Sequence, residues 1–135
     1  VTAGRFLAVG IGCRTGVSGE AIAALVERAL AAADAPALPA ALFTVVDKVG
    51  EAGIGEAAVR LGLPLVHLPR AALAAVADRV TTRSERVVEL FGVPAIAEGA
   101  ALAGAGRGSR LVVERMAEAG ATVAVAIGGA TEETT

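Results

Sequence analysis

The 135 residues carry 12 Lys+Arg against 14 Asp+Glu, one His, one Cys and three Phe, with no Trp or Tyr. A net charge of −2 with interspersed signs offers no basic field for nucleic acid, and so few aromatic rings leave no platform for stacking single-stranded bases. One cysteine makes neither an intramolecular disulfide nor a thiolate-rich zinc site, and the chain reads as cytoplasmic.

The hydrophobic fraction of 55% is largely alanine, and no uncharged apolar run approaches the roughly 18–20 residues of a spanning helix. Residues 1–14 show no cationic leader or cleavage site. Residues 5–11 (RFLAVGI) predict a first buried strand. Ser18 is a candidate N-cap, with Glu20 in the following turn, and Ile22, Leu25, Val26, Ala29 and Leu30 recur at helical spacing as far as Asp34. Residues 42–46 predict a second strand and residues 51–61 a helix closed by Gly62 and Pro64. A short strand over 65–68, a helix over 69–77, a Ser84-capped helix over 85–91 and another helix over 95–102 follow. Gly104, Gly106 and Gly108 predict a loop, and residues 110–114 with 121–127 an antiparallel hairpin. The expected fold is a three-layer α/β/α arrangement with a mixed, mostly parallel sheet ending in that hairpin. A single domain over 1–127 is expected, with residues 128–135 as a frayed tail.

Parallel sheets bind ligands beyond the carboxyl ends of their strands, and two segments fall there. In Gly10-Ile11-Gly12-Cys13-Arg14-Thr15-Gly16-Val17-Ser18, glycines let backbone approach a ligand, and Arg14 can fork a carboxylate or phosphate. The spacing is G-x-G-x-x-x-G and lacks the G-K-[ST] of a phosphate loop, so a tight turn explains it equally. Cys13 is either a nucleophile activated by its setting or a packing residue, and His67, in an apolar strand, reads as structural. Asp47-Lys48-Val49-Gly50-Glu51 puts two carboxylates and an ammonium together, as a substrate-holding or general-base cluster or as an ordinary charged turn. Thr82-Arg83-Ser84-Glu85-Arg86 offers an anion site or plain capping, and Glu98 in an alanine-rich helix reads by default as solvated.

These blocks carry a family resemblance. Gly10-Ile11-Gly12-Cys13-Arg14 with Gly16 and Ser18, then Asp47-Lys48 with Glu51 and Gly53, resemble the family of cobalamin-biosynthesis proteins comprising CobE and the C-terminal domain of CbiG. Ser84-Glu85-Arg86-Val87, Gly92-Val93-Pro94-Ala95 with Ala97-Glu98, and Thr122-Val123-Ala124-Val125-Ala126 continue it in order along nearly the whole chain. The resemblance implies a protein that meets a corrin-ring intermediate, with other enzymes of the pathway as further partners. It assigns substrate contacts to Gly12, Cys13, Arg14, Gly16, Ser18, Lys48, Ser84, Arg86 and Glu98. Whole CbiG is similar to a hydrolase that opens the ring-A lactone of cobalt-precorrin 5A and releases acetaldehyde, which would make Asp47 or Glu51 the general base. The chain lacks a counterpart of the rest of CbiG, and Arg115 stands where a lysine often precedes the final strand. The first departure makes the chain resemble stand-alone CobE, and both leave the pathway assignment intact; a CobE-like corrin binder is the leading expectation and the lactone hydrolase its rival. A phosphate- or nucleotide-binding regulatory domain is the third expectation. No cofactor, metal, nucleic acid or membrane is expected.

Overall fold

The computed structural model describes residues 5–128. β1 (Phe6–Cys13), β2 (Ala40–Val45), β3 (Leu65–Leu68), β4 (Arg110–Glu118) and β5 (Ala121–Gly128) form one sheet in the order β3-β2-β1-β5-β4. β1 pairs parallel with β2, and β2 with β3. β5 runs antiparallel to both β1 and β4, so β4 points the same way as β1. The expected hairpin is present, and its β5 strand enters the middle of the sheet. The pairings therefore divide evenly between the two senses, while four of the five strands share one direction.

Side-chain size along β1 and β5 decides how each face is covered. Leu7, Val9 and Ile11 with Val123 and Val125 face α1 (Gly19–Ala33) and α2 (Ala52–Leu61), meeting Ile22, Leu25, Val26 and Ile54 in the larger core. The alternate residues Ala8, Ala124 and Ala126 face α5 (Ala97–Ala105), which meets them with Ala97, Ala100, Ala101, Leu102 and Ala105. Small residues on both sides let α5 lie almost on the sheet: a Cβ at Gly10 would overlap the Ala97 carbonyl oxygen, and one at Gly128 the Ala105 carbonyl oxygen. Such an enclosed helix needs no polar face, which is why α5 shows no amphipathic stripe. α3 (Arg70–Ala74) and α4 (Glu85–Phe91) complete that layer, packing Leu73, Val87 and Phe91 with Val45, Val93 and Ile96.

Several boundaries differ from expectation. β1 runs to Cys13, so Gly12 and Cys13 belong to the strand and not to the loop. The helix expected over 69–77 splits into α3 and a 3-10 turn at Ala77–Arg79, with Pro69 as its N-cap. The helix expected over 95–102 is shifted to α5, taking in Gly104, whose missing side chain leaves room for the Phe43 ring. β4 extends four residues beyond the expected 114, with two irregularities around Val113. Gly128 closes β5, and the rest of the expected tail lies outside the described residues. Among the described residues no helix is long and apolar enough to cross a membrane.

Candidate functional site

The strand ends of β1 and β2 lie side by side, and so do the segments that follow them. The loop after β1 leads to Ser18, whose side chain accepts from the Ala21 N–H and caps α1. β2 runs into a 3-10 turn, Val46–Lys48, and then α2. Two hydrogen bonds stitch these segments together: Lys48 Nζ donates to the Cys13 carbonyl at 2.7 Å, and the Gly16 N–H donates to Glu51 Oε1 at 3.3 Å. Gly53 completes the seam, because a Cβ there would overlap the Val17 carbonyl oxygen. The backbone of Arg14 is in turn fixed by its N–H bond to the Gly120 carbonyl in the β4–β5 turn.

The groups of this seam differ in what they can offer. Arg14 and Gly16 are exposed, and Gly16 has φ +85 with open space around it. Gly12, expected to touch a ligand, is buried instead: Ile96 and the Thr122 hydroxyl cover it, and its openness serves the approach of α5's leading residues. Cys13 is half-buried, and burial pushes its thiol up, with the Lys48 charge opposing and Glu51 adding to the rise. A rise of this kind works against thiolate formation, and so against the nucleophile reading of Cys13. Lys48 is the only lysine in the sequence, against eleven arginines.

Asp47 is engaged by Arg70, 23 positions further along the chain. Arg70 Nε lies 3.0 and 3.1 Å from the two carboxylate oxygens, and Arg70 Nη2 lies 2.6 Å from Oδ2. The hydrogen bond from Arg70 holds the Asp47 carboxyl below its ordinary value, against an opposing desolvation effect. An acid held ionised by a guanidinium is ill suited to accept a proton in catalysis. Glu51 remains as the half-buried carboxylate of the seam.

Beside the seam, Phe91 at the end of α4 has Lys48 Nζ 5.4 Å and the Arg70 guanidinium 5.5 Å from its ring centre. Ser84 caps α4 by accepting from the Val87 N–H, and Arg86 is exposed on that helix. Ser84 is therefore occupied as a cap, as the plainer reading has it.

Glu98 overturns the expectation of a solvated carboxylate, and its burial leaves it no exposed surface with which to meet a substrate. It is completely buried in the first turn of α5. Its Oε1 accepts from the Thr81 N–H, the Thr82 N–H and the Thr82 hydroxyl, and its Oε2 from the Thr81 hydroxyl and the Arg115 N–H, at 2.8–3.0 Å. Burial pushes its pKa up, but these hydrogen bonds outweigh burial and hold it below the ordinary 4.5. Both oxygens are spent on the protein itself. The Arg115 N–H reaches Glu98 from the irregular stretch of β4, where the ladder to β5 is interrupted between Val113 and Met116. Among the described residues, no group of three or more His, Cys, Asp or Glu gathers as a metal site.

A three-layer α/β protein whose anchored cations and open loop backbone collect at the carboxyl ends of its strands is what fold and site define together. Residues 7–126 match the family described as cobalamin synthesis G C-terminus, and the chain belongs to that family. It is 40% identical over 127 residues to Protein CobE of a Sinorhizobium species, covering 92% of this chain and 81% of that protein. The crystal structure of a CobE described as a protein of the cobalamin (vitamin B12) biosynthetic pathway is similar with a TM-score of 0.82 and 31% identity, covering 94% of this chain and 93% of that one. The cobalamin biosynthesis protein chiG of Agrobacterium tumefaciens is similar with a TM-score of 0.69 and 40% identity, over 89% and 96% of the two chains. The chain is a cobalamin biosynthesis protein of the CobE and CbiG type.

Proposed function

We propose that this protein binds a corrin-ring intermediate by its peripheral carboxylates, at the seam between the β1–α1 loop and the turn after β2. The carrying observation is the state of Lys48. Its ammonium is aimed by the Cys13 carbonyl and the Phe91 ring, and no carboxylate lies within ion-pair distance of it among the described residues. Arg14 and Arg86 likewise take no part in the three ion pairs among the described residues, which join Arg28 with Glu118, Arg70 with Asp47 and Arg83 with Glu85. Corrin precursors carry acetate and propionate arms, so several separated cations suit them better than one deep pocket. The open backbone at Gly16 adds room for a broad ring at the same place.

The hydrolase reading keeps one carboxylate, Glu51, since Asp47 is clamped by Arg70. The phosphate-loop reading has less support, because Gly10 and Gly12 are filled against α5 and its leading residues. Titration by visible absorbance with dicyanocobyrinic acid, a corrin with free side-chain carboxylates, tests the proposal against dicyanocobinamide, in which they are amides. Binding of the acid and not the amide is expected, with Lys48→Met weakening it about five- to tenfold, the worth of one partly exposed charge-assisted hydrogen bond. Equal binding of acid and amide, or binding of neither, overturns it.

A further inference from the structure

The one lysine of the sequence does not reach the seam unaided. A four-carbon side chain in water samples many rotamers, and holding its ammonium in one place takes more than one contact. The Cys13 carbonyl supplies the first, at 2.7 Å. The second is Phe91, one of only three aromatic residues in the chain, whose ring centre is 5.4 Å from the same nitrogen. That ring is half-buried, and it also lies 5.5 Å from the guanidinium of Arg70, which Asp47 fixes through three short contacts. The two cations on Phe91 are not equivalent: Arg70 is neutralised by Asp47, and Lys48 is left with its charge unpaired among the described residues.

We infer that Phe91 is a positioning residue, holding Lys48 over its ring so that the ammonium stands ready for an anionic ligand, with the Arg70–Asp47 pair bracing the ring. The geometry of the stack supplies the reason: an aromatic face attracts a cation without neutralising it. A carboxylate in the same place would hold Lys48 as well and cancel the charge the ligand needs. α4 thereby gains a role that its short length hides, because its last residue reaches back to the turn after β2. The part of this inference that concerns ligand affinity rests on the carboxylate-binding reading above; the placement of Lys48 does not.

Two measurements separate the two parts. Reductive methylation with 13C-formaldehyde labels Lys48, and the resonance missing from the Lys48→Met variant identifies its methyl groups. In the whole protein that resonance is expected to show the upfield ring-current shift of an aromatic neighbour, lost in Phe91→Leu and kept in Phe91→Tyr. Phe91→Leu is also expected to weaken dicyanocobyrinic acid about two- to fivefold, the worth of a partly exposed cation–π contact. Phe91→Tyr restores the affinity, and in a Lys48→Met background Phe91→Leu costs nothing further. An unshifted lysine resonance overturns the inference. So does an unchanged affinity in Phe91→Leu, or a loss that persists in Lys48→Met, which would mean that the ring touches the ligand or merely packs. A shifted resonance in a protein that binds no corrin acid confirms the placement and overturns the corrin reading instead.

Discussion

Glu98 accepts five hydrogen bonds while completely buried, so the chemistry of its two oxygens decides what a replacement does. In Glu98→Gln one oxygen becomes an amide that can only donate. Placed at Oε2 it would face the Arg115 N–H, donor against donor, although the Thr81 hydroxyl could turn to accept. Placed at Oε1 it would face two N–H groups at once. At least one buried donor is orphaned either way, and a loss of about 1–3 kcal/mol is expected in urea unfolding. The same group is expected to make the fold acid-sensitive. Its pKa is lowered in the folded state, so its contribution is fully present above the unfolded value near 4.5 and is lost as pH falls through the folded value. Stability measured from pH 6 downward should therefore decline below about pH 4.5 more steeply in the wild type than in Glu98→Gln. Parallel declines would assign the acid sensitivity to other carboxylates, the clamped Asp47 first among them. At the seam, Arg14→Ala is expected to weaken dicyanocobyrinic acid more than Cys13→Ala, because an exposed guanidinium can meet a carboxylate while a half-buried thiol of raised pKa packs. The reverse order in the same absorbance titration would move the site's chemistry to the thiol.

Among the elements, α5 sets the tightest tolerance. Gly10→Ala would drive a methyl into the Ala97 carbonyl and the Ala101 amide, both backbone atoms that cannot swing aside, and a loss of about 3 kcal/mol is expected. Gly62→Ala meets nothing and bears only the left-handed φ of +67, at about 1 kcal/mol. Comparable urea midpoints for the two variants would contradict the close approach of α5. The signal for that approach is legible in the chain: large and small residues alternate along β1 and β5, with Leu7, Val9 and Ile11 set against Ala8, Gly10 and Gly12. Read only as apolar runs, those strands reveal burial and hide which face admits a helix. α1 and both serine caps are equally legible, because Ser18 and Ser84 act on amides three residues ahead. Arg70 and Phe91 were not. Their partners Asp47 and Lys48 are remote in sequence, and only the return of the chain through β3, α3 and α4 brings them together. Glu98 departs from expectation for a related reason: a carboxylate in an alanine-rich helix reads as solvated until a sheet is placed beneath the helix and two threonines over the carboxylate.

The molecule as a whole is negative, with a formal charge of −2, and the proposed ligand is a polyanion. At long range the two repel, so attraction must come from the few cations at the strand ends, acting within about one Debye length, roughly 10 Å at 0.1 M salt. Asp47 sits inside that radius and spends Arg70's charge. Asp47→Asn keeps the shape of the side chain and one oxygen to accept from Arg70, so the brace on Phe91 stays in place while the ionic partner and one negative charge are removed. If the protein binds corrin carboxylates there, affinity for dicyanocobyrinic acid is expected to rise about two- to threefold at low ionic strength, in the range of one exposed ion pair. The advantage should shrink toward nothing in 0.5 M salt, where the Debye length falls to about 4 Å. A hydrolase with Asp47 as its base predicts the opposite sign in a different measurement: lactone opening lost by about 10²–10⁴-fold, whatever the salt. Titration of the variant at two salt concentrations, beside a turnover assay on a lactone-bearing corrin precursor, separates these outcomes. A fall in affinity at low salt would show that Asp47 serves the ligand through the geometry it imposes on Arg70 and Phe91, and that the charge it cancels matters less than the order it creates.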